Sequence, residues 1–405
     1  MDVEACVATD CAATKHQQAA GTGITTLDGK ISDADVGGEY DMLAQVYERQ
    51  GVPEMALQVY EDALHVRKTN LGQQHLAVAA TYSNMARVYE SLESYGAAVA
   101  MLERSLCIHS AHFGNESAQV GSVYNRIAQA HYRKKDYDMA LAVLQQEMDI
   151  NMKVYHPYHE AVGRCYRHMA GLHHCKSNYD TALEMYDNAL KIGREVFGRD
   201  HAQVGAIYND MAGVYFIKGE LDTALEMYQK AFEIRTEALH ADVDVRPDVS
   251  ATCRNMADVY RATGNDDMAL EMYQKSLDFA SAAFGKLHPR MEDIYRNLAC
   301  LFRCKGDYDM AVTMWQNTLD IQISVLGETH PRVGGAYYNL ANVHLFNGAC
   351  DEALDNYQTA LGILSSTLGD QHPSVRSVLA KIRAIWSPDL TAAHARQSQF
   401  CSARH

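Results

Sequence analysis

With 36 Lys and Arg against 51 Asp and Glu, the 405-residue chain carries a formal net charge of −15, a poor electrostatic footprint for nucleic acid or for docking on an anionic membrane. Ten scattered cysteines without a C-x-x-C pair suit free thiols in a reducing compartment. No stretch approaches the roughly 20 apolar residues that span a bilayer, so a cytoplasmic location is expected and membrane insertion is not.

The chain opens with MDVEACVATDCAATK, which carries acids early and has no apolar run, unlike a signal peptide. Residues 1–34 are rich in Ala, Thr, Gly and Asp, show no period, and are expected to form a disordered tail. From residue 35 to residue 373 a unit repeats eight times. Its marker alanine recurs at Ala56, Ala98, Ala140, Ala182, Ala224, Ala269, Ala311 and Ala353, at intervals of 42 residues with a single interval of 45. Around these alanines the same phrases return, among them YDMALAVLQQEMDI, YDTALEMYDNALKI and YDMAVTMWQNTLDI. Upstream lies a second phrase (YSNMARVY, YNDMAGVY, YRNLACLF), and a third closes the unit (LGQQH, FGRDH, LGETHP, LGDQHP).

Each unit reads as two helices. Tyr82, Met85, Ala86 and Tyr89 share one face of the first helix; Ala224, Met227, Tyr228, Ala231 and Ile234 share one face of the second. The alanines let two antiparallel helices approach closely. Gly72, Gly114, Gly198, Gly285, Gly327 and Gly369 fall where the second helix should stop, in the place of a left-handed cap residue. The periodic histidines His75, His201, His288, His330 and His372 are expected to be turn residues, and Pro289, Pro331 and Pro373 suit the start of the following helix. The three-residue insertion around HADVDVRP, 240–247, is expected to be a longer exposed loop. Residues 374–386 place Val375, Val378, Leu379 and Ile382 on one face, as the cover of a last repeat requires, and residues 387–405 are expected to be a flexible tail.

The order Tyr-x-x-Met/Leu-Ala-x-x-Tyr followed by Ala-x-x-x-Tyr/Leu resembles the tetratricopeptide-repeat (TPR) pattern. The 42-residue period with its closing Leu-Gly-x-x-His-Pro is similar to the kinesin light chain subclass. The resemblance covers residues 35–386. It implies an all-α fold: a right-handed superhelical α-solenoid of about eight helix-turn-helix repeats plus a C-terminal capping helix. It also implies a non-enzymatic adaptor or scaffold that binds proteins through its concave groove, as kinesin light chains bind cargo. Residues 1–34 contain no heptads, so kinesin heavy chain binding is not expected.

The family fold places the first helix of each unit on the concave wall. With the recurrent alanine as position 20, the inward positions are 2, 5, 6, 9, 12 and 13. Ten of these 48 residues are arginines: Arg49, Arg87, Arg126, Arg133, Arg164, Arg167, Arg254, Arg261, Arg296 and Arg303. Six are acidic: Asp41, Glu48, Glu90, Asp210, Asp258 and Asp293. Position 6 is Asn84, Asn255, Asn297 and Asn339 in four repeats. Asparagine can clamp a peptide backbone through donor and acceptor together, and arginine pairs with carboxylates through a planar fork. The expected ligand is an extended acidic peptide segment. In repeats three and four, Asn125, Arg126, Arg133, Arg164, Arg167 and His168 meet no acid at the inward positions, which makes them the expected centre of binding. An alternative is an architectural scaffold that assembles through its convex face or ends, with no peptide bound in the groove; the inward arginines would then bridge neighbouring repeats through Asp and Glu or keep the groove wet. A clamp for Hsp70- or Hsp90-type tails is not expected, because Asp41, Gln45 and Ser122 replace its Lys and Asn residues.

Repeat four also holds Cys165, His168, His173, His174 and Cys175, but one helix cannot turn them to a common tetrahedral point, and Cys300 with Cys304 offers only a pair. No P-loop, no G-x-S-x-G elbow and no H-E-x-x-H occurs. Neither a metal, nor another cofactor, nor an enzymatic activity is expected.

Overall fold

The computed structural model describes residues 37–239 and 242–385; the expected tails at 1–34 and 387–405 lie outside the described residues. The described residues form seventeen α-helices and no strand. They divide into two units at His156 and Pro157. Unit 1 contains three hairpins: α1 (Gly38–Arg49) with α2 (Pro53–Leu71), α3 (Leu76–Ser91) with α4 (Tyr95–Phe113), and α5 (Ala118–Arg133) with α6 (Tyr137–Val154). Unit 2 contains five hairpins and a last helix: α7 (Glu160–Cys175) with α8 (Tyr179–Phe197), α9 (Ala202–Lys218) with α10 (Leu221–Ala238), α11 (Arg246–Ala262) with α12 (Asp266–Phe284), α13 (Glu292–Lys305) with α14 (Tyr308–Leu326), α15 (Pro331–Phe346) with α16 (Cys350–Leu368), and α17 (Pro373–Ile385).

Each hairpin is closed by its small residues. All eight marker alanines are 0% exposed, and the alanine at position 8 of the facing first helix, from Ala44 to Ala341, is buried in every repeat. A larger side chain at either position would force the two helices apart. Tyrosines at position 24 then span the hairpin: Tyr60 donates its hydroxyl to Glu48 at 2.8 Å and Tyr357 to Asn342 at 2.8 Å, while Tyr273 donates to Asp258. Within unit 2, α17 seals the end of the stack by placing Val375 and Val378 against Tyr357, Ala360 and Leu364.

The connections differ in part from expectation. The periodic histidines are helix N-caps: Nδ1 accepts the backbone N–H two residues on at 3.1 Å in His75 and His330, and at 3.2 Å in His201, His288 and His372. His159, in repeat four, does the same for Ala161 at 3.2 Å, although its surroundings lack the closing phrase. The glycines ending the second helices are not in the left-handed helical region. Gly72 and Gly198, at φ 90° with ψ 161° and 167°, occupy the extended positive-φ region open essentially only to glycine. Left-handed turns lie instead between the helices of each hairpin, at Gly51, Glu93, Lys135, Ser177, Gly219, Gly264, Gly306 and Gly348. The insertion before repeat six is not wholly a loop: Val243–Val245 forms a 3₁₀ turn, and Val245 is buried with Val249 and Cys253.

Candidate functional site

Side chains linking one first helix to the next define a common face within each unit. In unit 1, Arg87 of α3 pairs with Glu48 of α1 at 3.1 Å, and Arg126 of α5 donates to the carbonyl of Ser83 on α3 at 2.8 Å. In unit 2, Arg167 of α7 pairs with Asp210 of α9 at 2.7 Å, Asn255 of α11 donates to Asn209 of α9 at 3.3 Å, and Arg332 of α15 pairs with Glu292 of α13 at 2.6 Å. These contacts require consecutive first helices to stand side by side.

The expected site residues fall into two sets. In unit 1, Asn84 is half-buried and Arg133 exposed. Arg87 and Arg126 are engaged as described, and burial together with Arg87 pushes the Arg126 guanidinium down against the opposing pull of Glu90. Asn125 donates to the buried carboxylate of Glu147 at 2.8 Å, so it turns toward its own second helix. In unit 2, Arg164 is exposed, and among the described residues it makes no ion pair or hydrogen bond; the same holds for the half-buried Arg254. Arg296 pairs with Asp293 at 2.6 Å, and Asn297 and Asn339 are half-buried. The expectation that the repeat-three and repeat-four residues meet no acid is corrected at Asn125 and Arg167, whose carboxylates lie outside the positions compared in those two repeats. His168 lies beside Arg164 and Arg167; burial first, then these two cations, push its imidazole down to about 4, against Asp210. The five candidate ligands of repeat four do not converge: Cys165 is buried and Cys175 exposed, and among the described residues no three His, Cys, Asp or Glu form a metal-sized group.

Two clefts in unit 2, each of about 280 Å³, escaped the reading of the sequence. The first is lined by Arg164, Arg167 and His168 of α7, Ile192, Gly193 and Phe197 of α8, and Ile207 of α9. The second is lined by Ser250, Ala251 and Arg254 of α11, Ser276, Ala280 and Phe284 of α12, Asp293 and Ile294 of α13, and Arg290 just before it. They occupy the same repeat positions. Both have Arg at position 5, a small residue at position 31, Phe at position 35 and Ile at position 3 of the next repeat. Each Phe stacks on the following capping histidine, Phe197 on His201 at 4.7 Å and Phe284 on His288 at 4.6 Å between ring centres. Elsewhere position 31 is Arg67, His109, Asn151, Arg235, Gln322 or Leu364. Aligning that single position across the repeats is the signal that would have found both clefts.

A tetratricopeptide-repeat family model matches residues 39–109, 119–186, 166–237, 248–322 and 301–366. Among solved structures, the chain is similar to BtubC (BKLC) from P. vanneervenii, with 22% identity and a TM-score of 0.50 over 58% of this chain and 94% of that one. It is also similar to a signal-transduction ATPase with a tetratricopeptide-repeat sensor from Pyrococcus horikoshii, with 14% identity and a TM-score of 0.55 over 83% of this chain and 49% of that one. A putative kinesin light chain from P. anserina, with nearly identical TPR-like repeats, matches at 20% identity and a TM-score of 0.45 over 52% of this chain and 98% of that one. No curated relative matches the chain in sequence.

Proposed function

The chain belongs to the tetratricopeptide-repeat family, whose hairpins present surfaces to other proteins, and from that premise we propose a non-enzymatic adaptor that holds extended acidic peptide segments on its first-helix face. The observation that carries the proposal is the cationic chemistry of that face on a chain of net charge −15. Arg133 in unit 1 and Arg164 and Arg254 in unit 2 have no carboxylate partner among the described residues. Exposed ion pairs contribute only about 0–1 kcal/mol each, so fold stability gives little reason to collect arginines there. A kinesin light chain-like cargo role rests on the 42-residue period and the closing phrase. A cytoplasmic location rests on the free thiols Cys107, Cys175, Cys253, Cys300, Cys304 and Cys350, and burial pushes the Cys253 thiol up to about 12, which keeps it protonated.

The test is binding of a fluorescent Glu/Ser peptide across a salt series, with Arg164→Glu and Arg254→Glu beside the wild type. These two are preferred because Arg126 and Arg167 hold the helices to one another. Affinity should fall as salt rises and fall at least tenfold on double charge reversal. Salt-independent binding, or none, sinks the proposal. An architectural scaffold, the second reading, is favoured by Arg87–Glu48 and Arg167–Asp210, where arginines bridge repeats; it predicts partners retained after charge reversal.

A further inference from the structure

The outer edge of α1 departs from the pattern of the later first helices, whose positions 3, 6, 10 and 13 meet the preceding repeat. Within unit 2, Thr252 at position 3 donates to Asn209 at 3.4 Å, and Asp210 at position 6 takes the ion pair from Arg167. Phe346 at position 13 has the Arg303 guanidinium over its ring, 5.4 Å from the centre. Position 10 is covered in every later repeat: its residues, from Val88 to Val343, are at most 4% exposed. Val88 clusters there with Val59 and Tyr60 of α2, and Val214 with Ala182 and Tyr186 of α8. In repeat one the same four positions are Glu39, Met42, Val46 and Arg49, and all four are exposed. Val46 is 44% exposed, and Met42, at 64%, is the most exposed large apolar side chain among the described residues. Position 6 is Asn, Arg, His or Asp in the other seven repeats, so its apolar residue is peculiar to α1. Neither Glu39 nor Arg49 forms an ion pair among the described residues.

These four residues stand at i, i+3, i+7 and i+10, one stripe of the helix, and the stripe is palindromic in its chemistry about Ala44. Glu39 and Arg49 are equally far from Ala44 on its two sides, and so are Met42 and Val46. We infer that this edge is an interface with a second copy of the chain, the two α1 helices packing antiparallel about a two-fold axis at Ala44. That axis sets Met42 of each copy against Val46 of the other and Glu39 against Arg49, giving two apolar contacts and two ion pairs from one stripe. A parallel pairing would set glutamate against glutamate and arginine against arginine, so charge selects the antiparallel one. The second copy takes the place that a preceding repeat holds beside the later first helices, and the two-fold contact closes on itself without recruiting a third chain. One helix edge buries less than the roughly 1,200 Å² of a standard interface, which makes the dimer weak and dependent on concentration. The inference is independent of the acidic-peptide reading.

Sedimentation of the full chain from about 1 to about 300 µM, a range that spans a weak interface, measures the dimer. The wild type should move from monomer toward dimer across that range. Glu39→Arg sets arginine against arginine twice, and Arg49→Glu sets glutamate against glutamate twice. Either variant alone should associate at least about tenfold more weakly. Relief of the net negative charge would by itself make Glu39→Arg associate more tightly, so its weakening is specific to the pairing. An equimolar mixture of the two variants matches every arginine with a glutamate again, and should form a heterodimer within about threefold of the wild-type affinity. The mixture is also the control for folding, since a misfolded chain cannot restore its complement. A wild type that stays monomeric throughout, its edge covered by another segment of the same chain, overturns the inference. So does a dimer indifferent to both charge reversals, which would put the interface elsewhere, or a mixture no tighter than its components, which would exclude the antiparallel pairing.

Discussion

Arg167 donates through Nε to an oxygen of Asp210 at 2.7 Å, joining α7 to α9 across one full repeat, with both side chains about one-quarter to one-third exposed. Arg254, at the same position two repeats later, makes no such ion pair: Asn297 stands where Asp210 stands, and Asp293 of the next first helix, which lines the same cleft, is paired with Arg296. The two arginines therefore have different tasks despite identical register. A double-mutant cycle of Arg167→Ala and Asp210→Ala should give a coupling of about 0.5–1 kcal/mol in urea unfolding. Arg254→Ala should change stability by less than about 0.5 kcal/mol. Zero coupling at 167 and 210 would remove that pair as a link between repeats.

The imidazole of His168 makes unit 2 sensitive to acid. Burial, reinforced by Arg167 and Arg164 and opposed by Asp210, pushes it down to about 4, whereas in an unfolded chain it titrates near 6.5. The unfolded state therefore binds a proton first, so the stabilising contribution is complete above about pH 6.5, declines as pH falls, and is gone below about pH 4. At about 1.36 kcal/mol per pH unit, reduced for the partial exposure of the ring, the loss comes to about 1–3 kcal/mol. His168→Asn, which restores the residue found at this position in four other repeats, should flatten that part of the profile. Urea midpoints at pH 7, 5.5 and 4.5 measure it; parallel curves for the two proteins would refute this assignment.

The hairpins were legible in the sequence because each repeat samples the same packing problem, and eight copies of an alanine leave one solution. The capping histidines were visible as periodic residues, but their bond to the N–H two residues on depends on a backbone geometry that no spacing reveals. Side-chain partners were least legible. The register of Asn125 predicts an amide facing a ligand, yet Glu147, on the second helix of its own hairpin, accepts from it. The clefts were hidden for a related reason. Gly193 and Ala280 look unremarkable within their own helices, and a cavity appears only when they are set against Arg67 and Arg235 at the same repeat position and against Ile207 and Ile294 on the next first helix.

Where a second helix ends on glycine, as α8 does at Gly198, the constraint is one of backbone and not of packing. Gly198 has φ 90° and ψ 167°, and a Cβ there would meet nothing within 4 Å. Gly198→Ala should nevertheless destabilise the protein by about 1–3 kcal/mol, because an L side chain is strained in that region however much room surrounds it. Gly362, inside α16 and also with open space around its missing Cβ, is the control. Gly362→Ala should stabilise by about 0.5–1 kcal/mol, since the backbone there is helical. Equal effects from the two substitutions in thermal unfolding would contradict the conformational explanation.

The turns inside the hairpins allow the opposite experiment. Five of the eight left-handed positions are glycine, while Glu93, Lys135 and Ser177 hold φ 55°, 64° and 61° with a side chain attached. A left-handed conformation costs an L residue about 1–2 kcal/mol, and glycine loses about 0.5–1 kcal/mol of that advantage to its freer unfolded chain. Ser177→Gly should therefore stabilise by about 0.5–1 kcal/mol, and Lys135→Gly by a similar amount in unit 1. Ser177→Ala removes the hydroxyl while keeping the strained Cβ, and should gain nothing. Chemical unfolding of the three variants separates the causes: a gain in Ser177→Ala equal to that in Ser177→Gly would trace the effect to the hydroxyl and not to the backbone.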